Sequence, residues 1–281
     1  MRFIVTGSEG FIGKALVSHL ASRGAEVIKV DNALPDYEPE THEAFAISHY
    51  LKRGGIDCVF HLAGKGQYDS ADDILDLDMS HFHDAAEACA KHGVKLVFAS
   101  SSLAEDEDSA FGIACRWKES LSKIICRESC AVRLHSVYGC DPKEGTLLHS
   151  LLNDDNTVVL FGNGETYRHY TYIGDAVQGL LYAYATDKRV VNCYNPEVTS
   201  AKSFVMQFKE ALDALEESMQ CGIGLGTVHL IEQLREGEKM RISPNRELFN
   251  VPLQYATVSA GLRNVVFDRG TAEALVARRF G

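Results

Sequence analysis

Apolar and polar positions along the first 31 residues predict one strand, one turn, one helix and a second strand. Residues 2–5 form a short, mostly apolar run that suits a buried strand. From Phe11 the apolar residues recur at helical spacing as far as Leu20, and Gly24 stands where a helix would end. A second run, residues 25–30, predicts another strand. The chain therefore begins with a β-α-β pattern.

Similar patterns continue along the chain. Further strands are predicted at residues 57–64, 95–100, 157–161 and 190–194, and helices at residues 71–92, 176–185, 203–217 and 271–279. The interval from Asp31 to Asp57 is short for another strand plus a full helix, so we expect a compact or rearranged segment there. Residues 265–268 are predicted as a last strand or loop, and residues 222–226 as a glycine-rich loop. This order of elements suits an α/β protein.

Composition excludes several classes of protein. A chain of 281 residues with 46% hydrophobic composition can bury a sizeable core, as one α/β domain or one domain with a small lobe. The net charge of −11 argues against a nucleic-acid or anionic-membrane surface. No apolar run approaches the ~20 residues of a membrane span, and a strand from residue 2 leaves no room for a signal peptide. We therefore expect a cytoplasmic protein without nucleic-acid or membrane partners.

The eight cysteines form no Cys-x-x-Cys pair, and several lie within apolar strand or helix patterns. We therefore expect reduced, buried thiols and no metal site. They stand at positions 58, 89, 115, 126, 130, 140, 193 and 221.

The first turn carries three glycines at fixed spacing. Gly7, Gly10 and Gly13 form Gly-x-x-Gly-x-x-Gly, in which the glycines permit a tight turn, a close approach to a pyrophosphate and close helix packing. The helix start at Phe11 and Ile12 adds free N–H groups and a positive dipole end. The alternative interpretation is an ordinary turn without a ligand. The second strand that follows the helix favours the dinucleotide site over this alternative.

Asp31 ends that second predicted strand. A carboxylate there accepts both hydroxyls of an adenosine ribose and repels a 2′-phosphate. We therefore predict NAD rather than NADP as cofactor, with Asn32 as a further contact.

Residues 6–13, Thr-Gly-x-x-Gly-x-x-Gly, resemble the extended short-chain dehydrogenase/reductases, and among these the NAD-dependent nucleotide-sugar epimerases and dehydratases. Residues 133–139 resemble the family's R-x-x-N-V-Y-G, with Ser136 in place of Asn. Residues 162–175 resemble G-x-G-x-x-x-R-x-(F/Y)-x-(Y/H)-(V/I)-x-D. The resemblance extends to about residue 190 and is thin afterwards.

The resemblance implies a Rossmann-like doubly wound parallel sheet with a small C-terminal lobe. Residues 1–165 would form the dinucleotide-binding domain, with residues 171–195 returning to it. Residues 196–281 would form a mixed α/β lobe that binds the substrate, a nucleotide sugar. A homodimer is compatible with this arrangement.

The family's motifs also imply site residues. A segment under the adenosine and pyrophosphate corresponds to Leu62, Ala63 and Gly64. The last serine of a cluster at a strand end bonds the reacting hydroxyl or carbonyl, and Ser102 matches it. Arg168 would contact the diphosphate, because a guanidinium can pair two phosphate oxygens at once. Tyr138 is a further candidate for substrate binding.

The family's acid/base pair, Tyr-x-x-x-Lys, is replaced here. Gly112 and Glu119 keep the register of that motif, but Phe111 stands in the tyrosine position and Cys115 in the lysine position. A tyrosine acts as base only when its pKa falls from ~10 towards 7, which the lysine charge promotes. Phenylalanine has no proton to transfer, so ordinary hydride-transfer chemistry is not expected.

Three functions remain open. The first is a nucleotide-sugar isomerase without net redox, such as a pyranose–furanose mutase, which needs proton transfers but no ketone. The second is an NAD-dependent epimerase, dehydratase or reductase with a substitute base, such as Tyr68 or Tyr138. The third is a non-catalytic NAD-binding regulatory protein. Candidate groups for the first are Tyr68, Ser102, residues 105–108, Tyr138 and Cys140.

Overall fold

The computed structural model describes residues 1–34, 43–66, 69–106, 108–153, 157–219, 227–233, 239–255 and 257–280. Its strands are β1 (Arg2–Thr6), β2 (Glu26–Val30), β3 (Cys58–His61), β4 (Lys95–Ser101), β5 (Ser129–Leu134), β6 (Val137–Tyr138), β7 (Thr157–Phe161), β8 (Tyr167–Arg168), β9 (Thr171–Tyr172), β10 (Val190–Cys193), β11 (Thr199–Ser200) and β12 (Thr227–Ile231). Its helices are α1 (Phe11–Ser22), α2 (Glu43–Lys52), α3 (Met79–His92), α4 (Ala110–Ile125), α5 (Leu147–Asn153), α6 (Ile173–Ala185), α7 (Ala201–Met219), α8 (Val258–Val266) and α9 (Arg269–Phe280). The predicted alternation of strands and helices is confirmed.

Six parallel strands form the main sheet in the order β10-β5-β4-β3-β1-β2. Its central strands are buried along their length, as expected of a parallel sheet covered by helices on both faces. The order places the carboxyl ends of β1, β3 and β4 side by side, which is where open parallel sheets bind ligands. The predicted Rossmann-like α/β fold is confirmed.

The short interval after β2 has a simple consequence for the sheet. Within the described residues α2 is the element between β2 and β3, and β3 pairs directly with β1. Phe3 lies beside Cys58 in that pairing, so the chain crosses back over β1 and leaves β2 at the edge. The expected rearrangement is therefore a sheet with β2 alone on one side of β1.

The chain divides into two compact units. Unit 1 comprises Met1–Leu134, Ala176–Cys193 and Pro244–Pro252, and unit 2 comprises His135–Asp175, Tyr194–Ser243 and Leu253–Gly281. This division differs from the predicted one, because the chain passes into unit 2 directly after β5. The chain also returns to unit 1 at Pro244–Pro252. There Asn192 N donates to Phe249 O at 2.8 Å, and Val251 N donates to Asn192 O at 2.9 Å. These backbone bonds hold residues 244–252 beside β10.

Each unit has its own core. In unit 1, buried residues of β1, β3 and β4 pack against α2 and α3, with Phe82 and Phe98 in edge contact. In unit 2, α7 and α8 pack around Phe204, Phe208 and Leu262. Among the described residues, no helix has the length and apolar character needed to cross a membrane.

The prediction of a strand or loop at residues 265–268 is wrong for its first half. Val265 and Val266 end α8, whose start is capped by the Thr257 hydroxyl, an acceptor for Ala260 N at 3.2 Å. Both valines are fully buried, so packing against neighbouring helices outweighs the strand preference of β-branched side chains. The predicted loop at residues 222–226 lies outside the described residues.

Candidate functional site

The glycine turn lies between β1 and α1 at the carboxyl edge of the sheet. Gly7 has a φ of 65°, and a Cβ on it would lie 2.6 Å from Ala63 N. A Cβ on Gly13 would lie 1.9 Å from Gly7 O, so the helix packs directly on the turn. Gly10 N donates to Gly7 O at 3.1 Å and closes it. Side chains at Gly7 and Gly13 would fill the space that gives this turn its shape.

Helix α1 begins without a side-chain cap. Gly10 is its N-cap and, having no side chain, cannot cap the first amides, and the first turn carries no acidic residue. Helix N-termini leave N–H groups and a partial positive charge for an anion. The Phe11 and Ile12 amides are therefore suited to a pyrophosphate.

Asp31 is held against this turn. Its Oδ2 accepts from Glu9 N at 2.8 Å, and its Oδ1 accepts from Ala33 N at 3.0 Å. A carboxylate can accept about four hydrogen bonds, so two bonds leave capacity for ribose hydroxyls. Asn32 is exposed in the turn that follows β2.

The residues after β3 complete the arrangement. Leu62 N donates to Thr6 O at 3.1 Å, and Ala63 N donates to Thr6 Oγ1 at 3.3 Å. Thr6 Oγ1 also bonds His61 Nδ1 at 3.0 Å, so the ends of β1 and β3 are joined. We call residues 7–13, Asp31 and residues 62–64 the cofactor turn. Apart from the exposed Asn32, the residues predicted from sequence as cofactor contacts come together here, and they fit a dinucleotide.

Ser102 begins a 3-10 turn, Ser102–Glu105, directly after β4. Ser101 Oγ accepts from Leu103 N at 3.2 Å and caps this Ser102 turn. Asp106 N donates to Leu103 O at 2.7 Å and closes it. Ser102 is buried at the carboxyl end of β4, the strand next to β3.

Helix α4 starts in close contact with the Ser102 turn. Ser109 Oγ accepts from Gly112 N at 2.8 Å, and a Cβ on Gly112 would lie 2.4 Å from Leu103 O. Only glycine allows that approach, which explains why position 112 keeps the family's residue. Phe111 precedes it in the first turn and is half-buried. We call residues 102–119 the α4 region.

Cys115 and Lys118 do not recreate the missing lysine. Burial raises the pKa of the Cys115 thiol to about 11, so it is neutral near pH 7. Lys118 is also buried, and its Nζ donates to Asp78 Oδ2 at 2.9 Å. A lysine charge paired with a buried carboxylate is offset locally, so it offers little help to a neighbouring phenol. The sequence contains no signal that marks Asp78 as this partner.

Arg133 holds the middle of α4. Its Nε and Nη2 donate to the two Glu119 carboxylate oxygens at 2.8 and 2.7 Å. Ser100 Oγ donates to Glu119 Oε1 at 2.6 Å. The buried Glu119 carboxylate has hydrogen-bond donors for both of its oxygens. This structural role explains why the motif's glutamate is kept although the motif's tyrosine and lysine are replaced.

Two predicted substrate residues lie in unit 2. Tyr138 is buried, its hydroxyl donates to Val258 O at 2.9 Å, and burial raises its pKa. Arg168 is buried and donates to Tyr167 O at 2.9 Å. Both side chains make bonds within the protein, and their contacts with substrate stay predictions. Cys140 is half-buried, with a pKa raised mainly by burial.

Asp175 links α6 to the backbone of residues 254–255. It lies in the first turn of α6, where a cap or an ion pair would be expected. Its carboxylate instead accepts from Gln254 N at 2.6 Å and Tyr255 N at 3.2 Å. Two candidate groups, Tyr68 and Glu107, lie outside the described residues.

Comparisons with known proteins agree with this geometry. A profile of the "NAD dependent epimerase/dehydratase family" matches residues 3–195. UDP-N-acetyl-alpha-D-glucosaminuronate decarboxylase of Bacillus cytotoxicus is 26% identical over 227 residues, covering 65% of this chain and 70% of the relative.

Two solved structures share the fold. UDP-glucose 4-epimerase of Thermus thermophilus, in complex with NAD, superposes with a TM-score of 0.74 at 20% identity, over 95% of this chain and 98% of that one. UDP-glucose 4-epimerase of Thermotoga maritima, with UDP-glucose, gives a TM-score of 0.73 at 22% identity, over 97% and 100%.

Proposed function

Because the chain belongs to the NAD dependent epimerase/dehydratase family, we propose that it binds NAD and modifies a nucleotide sugar. The cofactor turn carries this proposal, since its glycines, uncapped helix start and Asp31 are assembled within unit 1. The solved structures of similar fold include one with NAD and one with UDP-glucose, which supports both ligands as candidates for this chain.

Each part of the cofactor turn has a role in binding. The Phe11 and Ile12 amides donate to the pyrophosphate, and glycine at position 7 lets the backbone approach it. Asp31 accepts from the adenosine ribose hydroxyls and repels a 2′-phosphate, which favours NAD over NADP. The Gly64 backbone lies against Asp78, where a Cβ on Gly64 would be 2.7 Å from Oδ1, so residues 62–64 keep a fixed path.

The reaction we favour is an epimerisation, dehydration or reduction with a substitute base. When bound, NAD supplies a two-electron acceptor for an alcohol carbon of the sugar. The Ser102 hydroxyl would hydrogen-bond the reacting oxygen, as the family resemblance implies. Neither Phe111 nor the neutral Cys115 thiol can take the alcohol proton, so another group must.

Tyr138 and Tyr68 are the two candidate tyrosines for that role. Tyr138 commits its hydroxyl to Val258 O and has a raised pKa, which works against a base. We therefore propose Tyr68 ahead of Tyr138 as the candidate base.

A non-redox isomerase, such as a pyranose–furanose mutase, is the second candidate. It is favoured by one observation, the loss of the phenol and ammonium groups at positions 111 and 115. The names of the similar proteins are those of epimerases and a decarboxylase, so we place this function second.

The test is to load the purified chain with NAD and add UDP-glucose and other nucleotide sugars. Product is followed by NMR, and nicotinamide reduction by near-ultraviolet absorbance. Transient reduction with a changed sugar supports the first function. Conversion at constant mass without any reduction supports the isomerase, and binding without turnover across the panel supports a regulatory NAD-binding protein.

A further inference from the structure

The Arg133 guanidinium binds two carboxylates at once. Beyond its paired bonds to Glu119, its Nη1 donates to Glu105 Oε1. Glu119 belongs to α4 and Glu105 to the Ser102 turn, so one side chain on β5 joins both parts of the α4 region. Arg133 is 8% exposed, and a buried guanidinium holds such partners firmly because water competes little for it.

Glu105 ends the Ser102 turn three residues after Ser102. The same carboxylate oxygen that accepts from Arg133 also accepts from Asn245 Nδ2 at 3.1 Å. Asn245 is itself fixed, because its backbone O accepts from Asn192 Nδ2 at 2.6 Å beside β10. The Ser102 turn is thus tied at its start to β4 and at its end to β5 and residues 244–252.

We propose that Glu105 is a positioning residue that holds the Ser102 hydroxyl in register for a nucleotide sugar. A 3-10 turn has few internal hydrogen bonds, so an anchor at its last residue restricts the orientation of its first. Arg133 serves the fold as well as the turn, whereas Glu105 is exposed enough for substitution to leave the core intact. This inference rests on the proposed function, which gives Ser102 its contact with substrate.

The test is a double-mutant cycle on the NAD-loaded chain, with UDP-glucose as the titrated probe. Glu105→Ala should lower UDP-glucose affinity about three- to tenfold, the range for one lost hydrogen bond. Glu105→Gln keeps an acceptor oxygen for Arg133 and Asn245, so it should recover most of the affinity. Asp213→Asn, which breaks the exposed Lys209 pair, is the matched control and should bind as the wild type does.

The cycle separates positioning from a general structural role. If Glu105 acts through Ser102, the double variant of Glu105→Ala with Ser102→Ala should bind no more weakly than Ser102→Ala alone. Additive losses, or undiminished affinity in Glu105→Ala, would overturn the inference.

Hydrogen exchange provides an arm that does not depend on the substrate. The Leu103 and Asp106 amides should exchange faster in Glu105→Ala than in the wild type or in Asp213→Asn. If the wild type binds no UDP-glucose, that sugar fails as a ligand of the proposed function, and exchange alone decides the inference. Unchanged exchange at these amides would overturn it.

Discussion

The cofactor turn and the α4 region belong to the same unit and resemble the same family, yet they have diverged to different extents. The cofactor turn keeps Gly7 and Gly13, which pack against each other, and Asp31, whose carboxylate accepts from Glu9 N in the same turn. The α4 region keeps the groups that shape it, Gly112 and Glu119, but carries Phe111 and Cys115 where proton transfer would require Tyr and Lys.

This difference shows that the residues that shape a site can be kept while the residues that would carry out proton transfer are replaced. A glycine at a close contact or a satisfied buried carboxylate cannot change without disturbing the fold. A half-buried tyrosine can become phenylalanine with little effect on packing, although the proton it carries is lost. The retained motif residues around positions 111 and 115 therefore identify the fold, but they do not identify the reaction.

The largest expected effect comes from the scaffold of the α4 region. Lys118→Met leaves Asp78 ionised and buried without its partner, which should cost about 3–5 kcal/mol of unfolding free energy. Lys209→Met breaks a pair with Asp213 that water screens, so its loss of stability should be far smaller. Urea denaturation of both variants measures the difference. Equal losses would mean that the buried pair does not support the α4 region.

The next largest effect is expected from substitutions of the glycines in the cofactor turn. Gly13→Ala places a methyl group 1.9 Å from Gly7 O, which should cost about 1–3 kcal/mol of stability and lower NAD affinity more than about tenfold. Gly10→Ala meets the same oxygen at 3.2 Å and should be milder in both respects. Thermal unfolding and NAD calorimetry check the order. A Gly13→Ala protein that binds NAD normally would contradict the role of this packing.

A smaller effect concerns cofactor choice. Asp31→Ala removes a charged acceptor, so NAD binding should weaken by about 1.5–3 kcal/mol while NADP binding weakens less. Asp57 accepts from Arg2 N at 2.7 Å at the opposite edge of the sheet, so Asp57→Ala should leave NAD affinity unchanged. Competition titrations of both dinucleotides provide the comparison. Equal losses for NAD and NADP would remove Asp31 from the recognition of the ribose.

The smallest effect is a dependence on pH. The hydrogen bond from Arg133 lowers the pKa of Glu105. A carboxyl whose folded pKa lies below its unfolded value stabilises the protein above the unfolded value, ~4.3, and this contribution is lost as pH falls through the folded pKa. Glu105→Gln should therefore lower the free energy of unfolding near pH 7 by less than about 1 kcal/mol, which appears as a slightly lower Tm. In strong acid the variant and the wild type should have the same Tm. A Tm difference that persists in acid would contradict the ion pair as its source.

Local sequence patterns were sufficient for the fold and for most of the cofactor turn. Gly7, Gly13 and Asp31 lie in one short β-α-β pattern, where spacing alone predicts which groups meet. The Lys118–Asp78 pair joins residues 40 positions apart, and no periodicity marks either member. Contacts of that kind depend on how α3 and α4 pack, which the sequence specifies only through the whole fold.

Element ends were predicted less well for the same reason. Val265 and Val266 favour a strand locally, but their burial beside α7 makes them the end of a helix. Residues 244–252 join unit 1 through backbone bonds to Asn192, and backbone bonds have no sequence signature.

We expect the cofactor turn to bind NAD independently of the changed positions in α4. Calorimetric titration of NAD and NADP into the wild type and Phe111→Tyr tests it most directly. We expect NAD to bind more tightly than NADP, with the same NAD affinity in both proteins. Tighter binding of NADP, or a change in NAD affinity above about tenfold in Phe111→Tyr (~1.4 kcal/mol), would contradict the claim.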